Sequence, residues 1–346
     1  MPESITFGTG TVEYHYKARL ADLKDIAFKE HCVIVTDSTV ASLYPELESM
    51  YPCIVIPSGE EHKKLKTINI IIEQLLEYKA HRKTVLLGVG GGVITDITGF
   101  AASVYMRGMR FGFVPTTLLG MVDASIGGKN GVNFGLQKNL VGTIQQPQFI
   151  LFDTDFLSTL PSLEWSNGFA EIIKYGCIFD AHMFETLQKH QLEYYHYNHP
   201  VLDTLIHKCA GWKNKTVQED EHEKGLRKLL NFGHTAGHAI ETLYNLSHGQ
   251  AISLGMLLAC KVSENVTGLD SKVYHQLANL LEQYKLPSAL TLHPDKLMDI
   301  LTMDKKRNGN EVDYIVLNKI GSASIQTIPF DIIRTAIENF PHAGNH

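Results

Sequence analysis

Three histidines in one short stretch carry the first recognisable chemistry of this 346-residue chain. Residues 229–249 read LLNFGHTAGHAIETLYNLSHG, with His234 and His238 four apart within helical apolar spacing. Four residues make about one helical turn, so both imidazoles share a face. His248 follows ten residues after His238, beside Gly249, where the chain can turn back toward that face. Three imidazoles without a nearby cysteine suit a catalytic metal site more than a structural one, because structural zinc favours thiolates. The same spacing also fits two ordinary polar residues on a half-buried helix, since a bare His-x-x-x-His is a weak motif.

Other charged residues sit where simple burial would be costly. Glu171 and Lys174 interrupt the apolar helical stretch GFAEIIKYG at an i, i+3 spacing. Such a pair is expensive to bury unless it is ion-paired, metal-bound or catalytic, and a structural salt bridge satisfies that condition equally well. Arg227 and Asn231 stand at spacings that put them on one helix face with His234. Together with Lys213 they offer cations, an amide and an imidazole to an anionic substrate. Residues 107–142 crowd Thr116, Thr117, Asp123, Lys129, Asn130, Lys138 and Asn139 among glycines. Lysines in glycine-rich turns suit a phosphorylated or carboxylated ligand, and a solvated surface loop is the plainer alternative.

A glycine cluster, GVGGGVITD at residues 88–96, lies between a strand pattern and a helix pattern. Glycines there let backbone N–H groups approach a phosphate at a helix N-terminus. The segment does not match G-x-G-x-x-G, so a nucleotide pyrophosphate and a mere tight turn both remain open. Asp37 follows the strand-like HCVIVT, and SGEEHK (residues 58–63) follows the strand-like CIVIP; both could accept ribose hydroxyls.

The elements that must position these groups change along the chain. Short β-branched runs begin at His31, Cys53 and Thr84, separated by helical patterns. In residues 67–81 a helical stripe of Ile68, Ile71, Ile72, Leu75 and Leu76 is expected. This alternation predicts a parallel α/β sheet over residues 1–160, with its ligand at the carboxyl ends of the strands. From residue 161 helical periodicity dominates, until the β-rich run YIVLNKIGSASIQTI near the C-terminus. The fold class is therefore an α/β N-terminal domain followed by a mainly α-helical C-terminal domain, residues 161–346.

Composition excludes several classes. Hydrophobic residues make up 44% and charged residues 20%, and the net charge is -6, which disfavours a broad nucleic-acid surface. The five cysteines are scattered without a C-x-x-C pair, which fits reduced thiols in a cytoplasmic protein. The N-terminus lacks the apolar core of a signal peptide, and no apolar run approaches the ~18 residues needed to span a bilayer. No membrane partner and no nucleic acid are expected.

Taken in order, GGGVITD, YMRGMRF, VPTTLL, MVDASIGGK, KNLVG, LSTLP, GFAEIIKYG, EDEHEKGLRKLLNFGHTAGHAIE, HGQAISLGM and MDKKRNG resemble the 3-dehydroquinate synthases. The resemblance implies a dehydroquinate synthase-like fold with a Rossmann-like N-terminal domain, NAD, a zinc or cobalt ion, a small sugar phosphate substrate and a homodimer. It gives the metal to Glu171, His234 and His248, and makes His238 an active-site neighbour. It places NAD on Asp37, Ser58, Gly59, Glu60, Lys63, Gly92, Val93, Ile94, Thr95, Asp96, Thr116, Thr117, Lys129 and Lys138, and on Phe156, Leu157, Ser158 and Thr159. Substrate anions fall to Arg107, Lys129, Asn139, Lys213, Arg227, Asn231 and Lys305, with Arg107 reaching the partner's site. Asp123, Lys174 and His238 would line the reacting hydroxyls. Thr95 stands where the family usually has glycine, Gln137 where glycine is frequent, and Gln250 where glutamate is usual. The last departure is expected to weaken the surroundings of His248. The implied reaction is a redox-neutral cyclisation with loss of phosphate. A metal-dependent polyol dehydrogenase of the same fold would not need the phosphate-gripping cations.

Overall fold

The computed structural model describes residues 2–26, 31–135, 137–303 and 309–341. The chain divides into two compact units, one of Met1–Pro161 with His199–His222 and the other of Ser162–Asn198 with Glu223–His346. To a division after residue 160 the structure thus adds an excursion, because the helix His199–Glu219 belongs to the first unit.

The first unit is built on a seven-stranded sheet. Its strands are β1 (Glu3–Phe7), β2 (Gly10–His15), β3 (Cys32–Asp37), β4 (Cys53–Ile56), β5 (Val85–Gly90), β6 (Arg110–Pro115) and, after an intervening hairpin, β9 (Phe149–Leu151). Their order is β1-β2-β9-β6-β5-β3-β4, and every pairing except β1 with β2 is parallel. Parallel strands covered on both faces read as continuous apolar runs, and all six residues of β5 are buried. The helix Leu65–Glu77 presents Ile68, Ile71 and Leu75 to the core. Leu76, expected on that stripe, is 60% exposed. It lies about 100° round the helix from Leu75.

β5 ends at Gly90, and the glycine helix Gly92–Val104 starts two residues later. Across that helix lies the antiparallel hairpin of β7 (Lys129–Phe134) and β8 (Gln137–Ile144). The approach is close enough that a Cβ at Gly99 would collide with the Asn130 side chain. Asn130 itself is buried, donating to the carbonyls of Gly128 (2.8 Å) and Gln145 (2.9 Å). It therefore fastens the hairpin rather than facing a ligand.

The second unit is helical. In the helix Ser162–Ile178 every residue from Trp165 onward is buried. A helix apolar all round is an interior one, so the charges it carries must be compensated inside the protein. The histidine helix His234–Tyr244 and the helix His248–Val266 pack against each other, and the latter also packs against Ser162–Ile178. The β-rich run near the C-terminus forms an antiparallel pair, β10 (Glu311–Lys319) and β11 (Ser322–Pro329). Leu317 of β10 donates to Ser263 Oγ at 2.9 Å, joining the pair to the helix His248–Val266. Among the described residues no helix is long and apolar enough to cross a membrane.

Candidate active site

In the helical unit Glu171 is wholly buried and Lys174, one turn on, is 2% exposed. The Lys174 ammonium pairs with Glu171 Oε2. The other oxygen, Oε1, lies 3.4 Å from His234 Nε2 and 3.1 Å from His248 Nε2. One ligand atom from each of Glu171, His234 and His248 falls within 4.8 Å of the others. Tetrahedral ligands held about 2.0–2.2 Å from an ion sit roughly 3.4 Å apart, so this spacing fits a divalent metal. One carboxylate and two imidazoles with no thiolate form the donor set of a catalytic rather than a structural zinc-type site.

Electrostatics prepare these donors. Burial alone would raise the Glu171 carboxyl, but the Lys174 ammonium and the two histidines outweigh it and hold it well below the usual range. Burial and then the Lys174 charge lower the pKa of His234, favouring its neutral form. His234 Nδ1 donates to the Phe232 carbonyl at 3.1 Å, which fixes the tautomer with its Nε2 lone pair toward Glu171. For His248 burial pulls downward, but the hydrogen bond and charge of Glu171, with Glu241, raise the pKa.

His238 lies one turn along, its ring centre 5.3 Å from that of His234, and is not part of the converging trio. The expected common helix face for Arg227, Asn231 and His234 does not form. Arg227 and Asn231 lie on a 3-10 segment, Leu226–Asn231, and the histidine helix starts afresh after Gly233. Gly233 has φ +79°, and a Cβ there would collide with Met256 on the helix His248–Val266. The break is thus enforced by conformation and close packing. Arg227 is 2% exposed, and Asn231 donates to Glu223 Oε1 at 2.7 Å. Lys305 lies outside the described residues.

In the α/β unit Asp37, Ser58 to Lys63, Gly92 to Asp96, and Thr116 with Thr117 follow the carboxyl ends of β3, β4, β5 and β6. Asp37 accepts from the backbones of Thr39 (2.9 Å) and Val40 (3.1 Å) and from Ser58 Oγ (2.9 Å), which ties the ends of β3 and β4 together. Gly59 opens the next turn at φ +113°, and Glu60 begins the 3-10 turn Glu60–His62. The glycine cluster leads into Gly92, Val93, Ile94, Thr95 and Asp96 in the first turns of the glycine helix. Thr95 Oγ1 donates to the Gly92 carbonyl at 3.1 Å, so the residue replacing glycine is absorbed into its own helix. Thr116 N donates to the Gly90 carbonyl at 3.0 Å, bringing Thr116 and Thr117 beside that turn. Phe156, Leu157, Ser158 and Thr159 form part of a 3-10 segment, with Thr159 Oγ1 2.9 Å from the Tyr44 hydroxyl.

Two buried lysines anchor this unit's polar set. Lys63 Nζ donates to Asp96 Oδ2 at 2.5 Å and to Asn139 Oδ1 at 2.6 Å. Burial works against the ammonium, but the charges of Asp96 and Glu60 outweigh it and raise its pKa. Lys213, on the helix His199–Glu219, reaches Asp123 through the backbone carbonyl (2.6 Å) and through Oδ1 (2.9 Å). Lys129, Lys138 and Asn139 are exposed residues of the hairpin. Arg107 is exposed in a loop of consecutive left-handed residues, Met106 (φ +50°), Arg107 (φ +66°) and Gly108 (φ +117°).

Sequence reasoning passed over two residues. Asn167 Oδ1 accepts from Ser247 Oγ (2.7 Å) and Gly249 N (3.0 Å), so it grips the chain on either side of His248. It lies four residues before Glu171, and that shared-face spacing beside a buried charge was the available signal. Asn133 was equally silent in sequence. Gln250, for its part, accepts from Ser247 N at 3.1 Å and caps its helix, while on the Nδ1 side of His248 a carboxylate comes from Glu241, 4.0 Å away.

Comparison with known proteins agrees along the chain. The family model described as 3-dehydroquinate synthase N-terminal matches residues 53–167, and that described as 3-dehydroquinate synthase C-terminal matches residues 168–307. The 3-dehydroquinate synthase of Neisseria meningitidis serogroup A is 40% identical over 324 residues, covering 90% of each chain. Among solved structures, 2-epi-5-epi-valiolone synthase from Streptomyces hygroscopicus subsp. jinggangensis, with NAD+ and Zn2+ bound, superposes with a TM-score of 0.86 at 28% identity, covering 97% of each chain. A 2-deoxy-scyllo-inosose synthase complexed with carbaglucose-6-phosphate, NAD+ and Co2+ also gives 0.86, at 25% identity over 98% of this chain and 100% of that one.

Proposed function

The chain belongs to the 3-dehydroquinate synthase family, and on that premise we propose how its residues divide the family's reaction. That reaction converts 3-deoxy-D-arabino-heptulosonate 7-phosphate to 3-dehydroquinate and inorganic phosphate. A ring hydroxyl is oxidised, phosphate leaves by β-elimination, the ketone is reduced again and an intramolecular aldol closes the carbocycle. NAD supplies the reversible hydride acceptor, and a zinc or cobalt ion the Lewis acidity toward the substrate's hydroxyls.

The spacing of Glu171, His234 and His248 is the observation that carries this reading, and these three would hold the metal. Lys174 holds its amine against the metal-binding carboxylate, and with His238 and Asp123 it would handle protons at the reacting hydroxyls. Lys213 fixes Asp123 in place through two contacts. NAD would lie along Asp37, Ser58, Gly59, Glu60 and Lys63, the turn from Gly92 to Asp96, Thr116, Thr117, Lys129, Lys138, and the segment Phe156, Leu157, Ser158, Thr159. Charge-assisted hydrogen bonds from Arg107, Lys129, Asn139, Lys213, Arg227, Asn231 and Lys305 would hold the phosphate and carboxylate. The exposed, left-handed loop that presents Arg107 suits a side chain offered to a second protomer, which supports a homodimer. Five free cysteines, four of them buried, fit a reducing cytoplasm.

The test separates this cyclase from a dehydrogenase of similar fold. With NAD far below substrate, phosphate release and nicotinamide absorbance are followed together. Many phosphates per NAD without net NADH are expected. Stoichiometric NADH, or phosphate capped at the amount of NAD, would overturn the reading.

A further inference from the structure

Asn133, near the end of β7, makes three bonds that join two polar segments of the α/β unit. Its Nδ2 donates to Glu60 Oε1 at 2.8 Å. Its Oδ1 accepts from Asn139 N at 2.8 Å. Its own backbone N donates to the Lys63 carbonyl, also at 2.8 Å, completing a bridge from the hairpin to the chain at Lys63 and Lys64. Asn139 sits at φ +53°, a left-handed backbone that costs free energy for any residue with a Cβ. In that pose its side chain meets Lys63 Nζ, at 2.6 Å.

We propose that Asn133 is a positioning residue, clamping the hairpin β7–β8 to the turn Glu60–His62 so that Glu60 and Lys63 face the cofactor while Asn139 faces the substrate. The inference rests on the cyclase reading for the roles of Glu60, Lys63 and Asn139. Asn133 touches neither ligand in this scheme. Its amide is suited to the task because one end accepts from a backbone N–H while the other donates to a carboxylate. An aspartate there would keep the first bond but oppose Glu60 with a second carboxylate. Two carboxylates sharing one site raise a pKa, since one proton is then held between them.

The experiment measures NAD dissociation by fluorescence, together with steady-state KM and kcat, for the wild type, Asn133→Ala and Asn133→Asp. Losing the two side-chain bonds in Asn133→Ala should weaken NAD binding about three- to tenfold. It should raise the KM for the sugar phosphate by a similar factor and leave kcat within about twofold. Asn133→Asp should bind NAD nearly normally at about pH 5 and progressively worse toward pH 8, as the shared proton is lost. The wild type should show no such trend. A variant that is merely less stable would instead lower kcat through its active fraction, with NAD dissociation and the sugar phosphate KM unchanged. That outcome, or a pH-independent Asn133→Asp, overturns the proposal. If the wild type itself fails to bind NAD, the underlying cyclase reading fails instead.

Discussion

Replacing Lys174 by methionine removes one buried charge while keeping most of the side chain's volume. In the metal-free protein the Glu171 carboxylate, 0% exposed, then loses its partner, the ammonium of a lysine itself only 2% exposed. Breaking a buried pair from one side costs about 3–5 kcal/mol, so metal-free Lys174→Met should be destabilised by that amount. A bound divalent ion restores a positive partner to Glu171 and no longer meets the repulsion of the ammonium. Metal should therefore bind the variant about tenfold tighter or more, and tenfold is worth about 1.4 kcal/mol of added stabilisation by linkage. Urea denaturation in chelator and in excess zinc should show a wide gap for the variant and a narrower one for the wild type. Turnover should fall by roughly a hundredfold or more if the amine handles a proton in the reaction. Weaker metal binding, combined with unchanged metal-free stability, would refute this account of how Glu171 is neutralised.

Chelation should abolish turnover, and His234→Ala should lose both metal and turnover, because His234 Nε2 is one of the three convergent donors. His238→Ala should keep most of its metal while losing activity, and equal metal loss in both variants would return the site to a bare His-x-x-x-His pair. Among the cysteines, Cys32, Cys177, Cys209 and Cys260 are buried and Cys53 is partly exposed. Burial pushes the Cys53 thiol up to about 11 and the Cys32 thiol to about 12. Native labelling by a disulfide reagent should therefore be confined to Cys53, its rate rising roughly tenfold per pH unit through pH 9–10, because only the thiolate reacts. A second fast thiol, or a plateau below pH 9, would contradict that environment.

The apolar alternation from His31 to Val89 was enough to expect parallel strands with crossover helices, because strands buried on both faces leave no polar period to misread. The helical spacing of His234 and His238 likewise holds, in the helix His234–Tyr244. By itself that spacing left His238 and His248 both as candidates beside His234; resemblance to a family selected Glu171 and His248. Geometry then brings Glu171, His234 and His248 within 4.8 Å across three helices. Local periodicity also carried Leu76 into the core, where the helix turns it to solvent, and ran one helix through Gly233, where packing against Met256 breaks it. The least legible residues were Asn133, Asn167 and Gln250. An amide's role depends on which two backbone or side-chain groups lie at its ends, and those partners come from segments far apart in the chain. Sequence periodicity records which face of an element is apolar. Which polar atoms meet across that face is fixed only when the elements pack, since a hydrogen bond requires its partners within about 3 Å and in line.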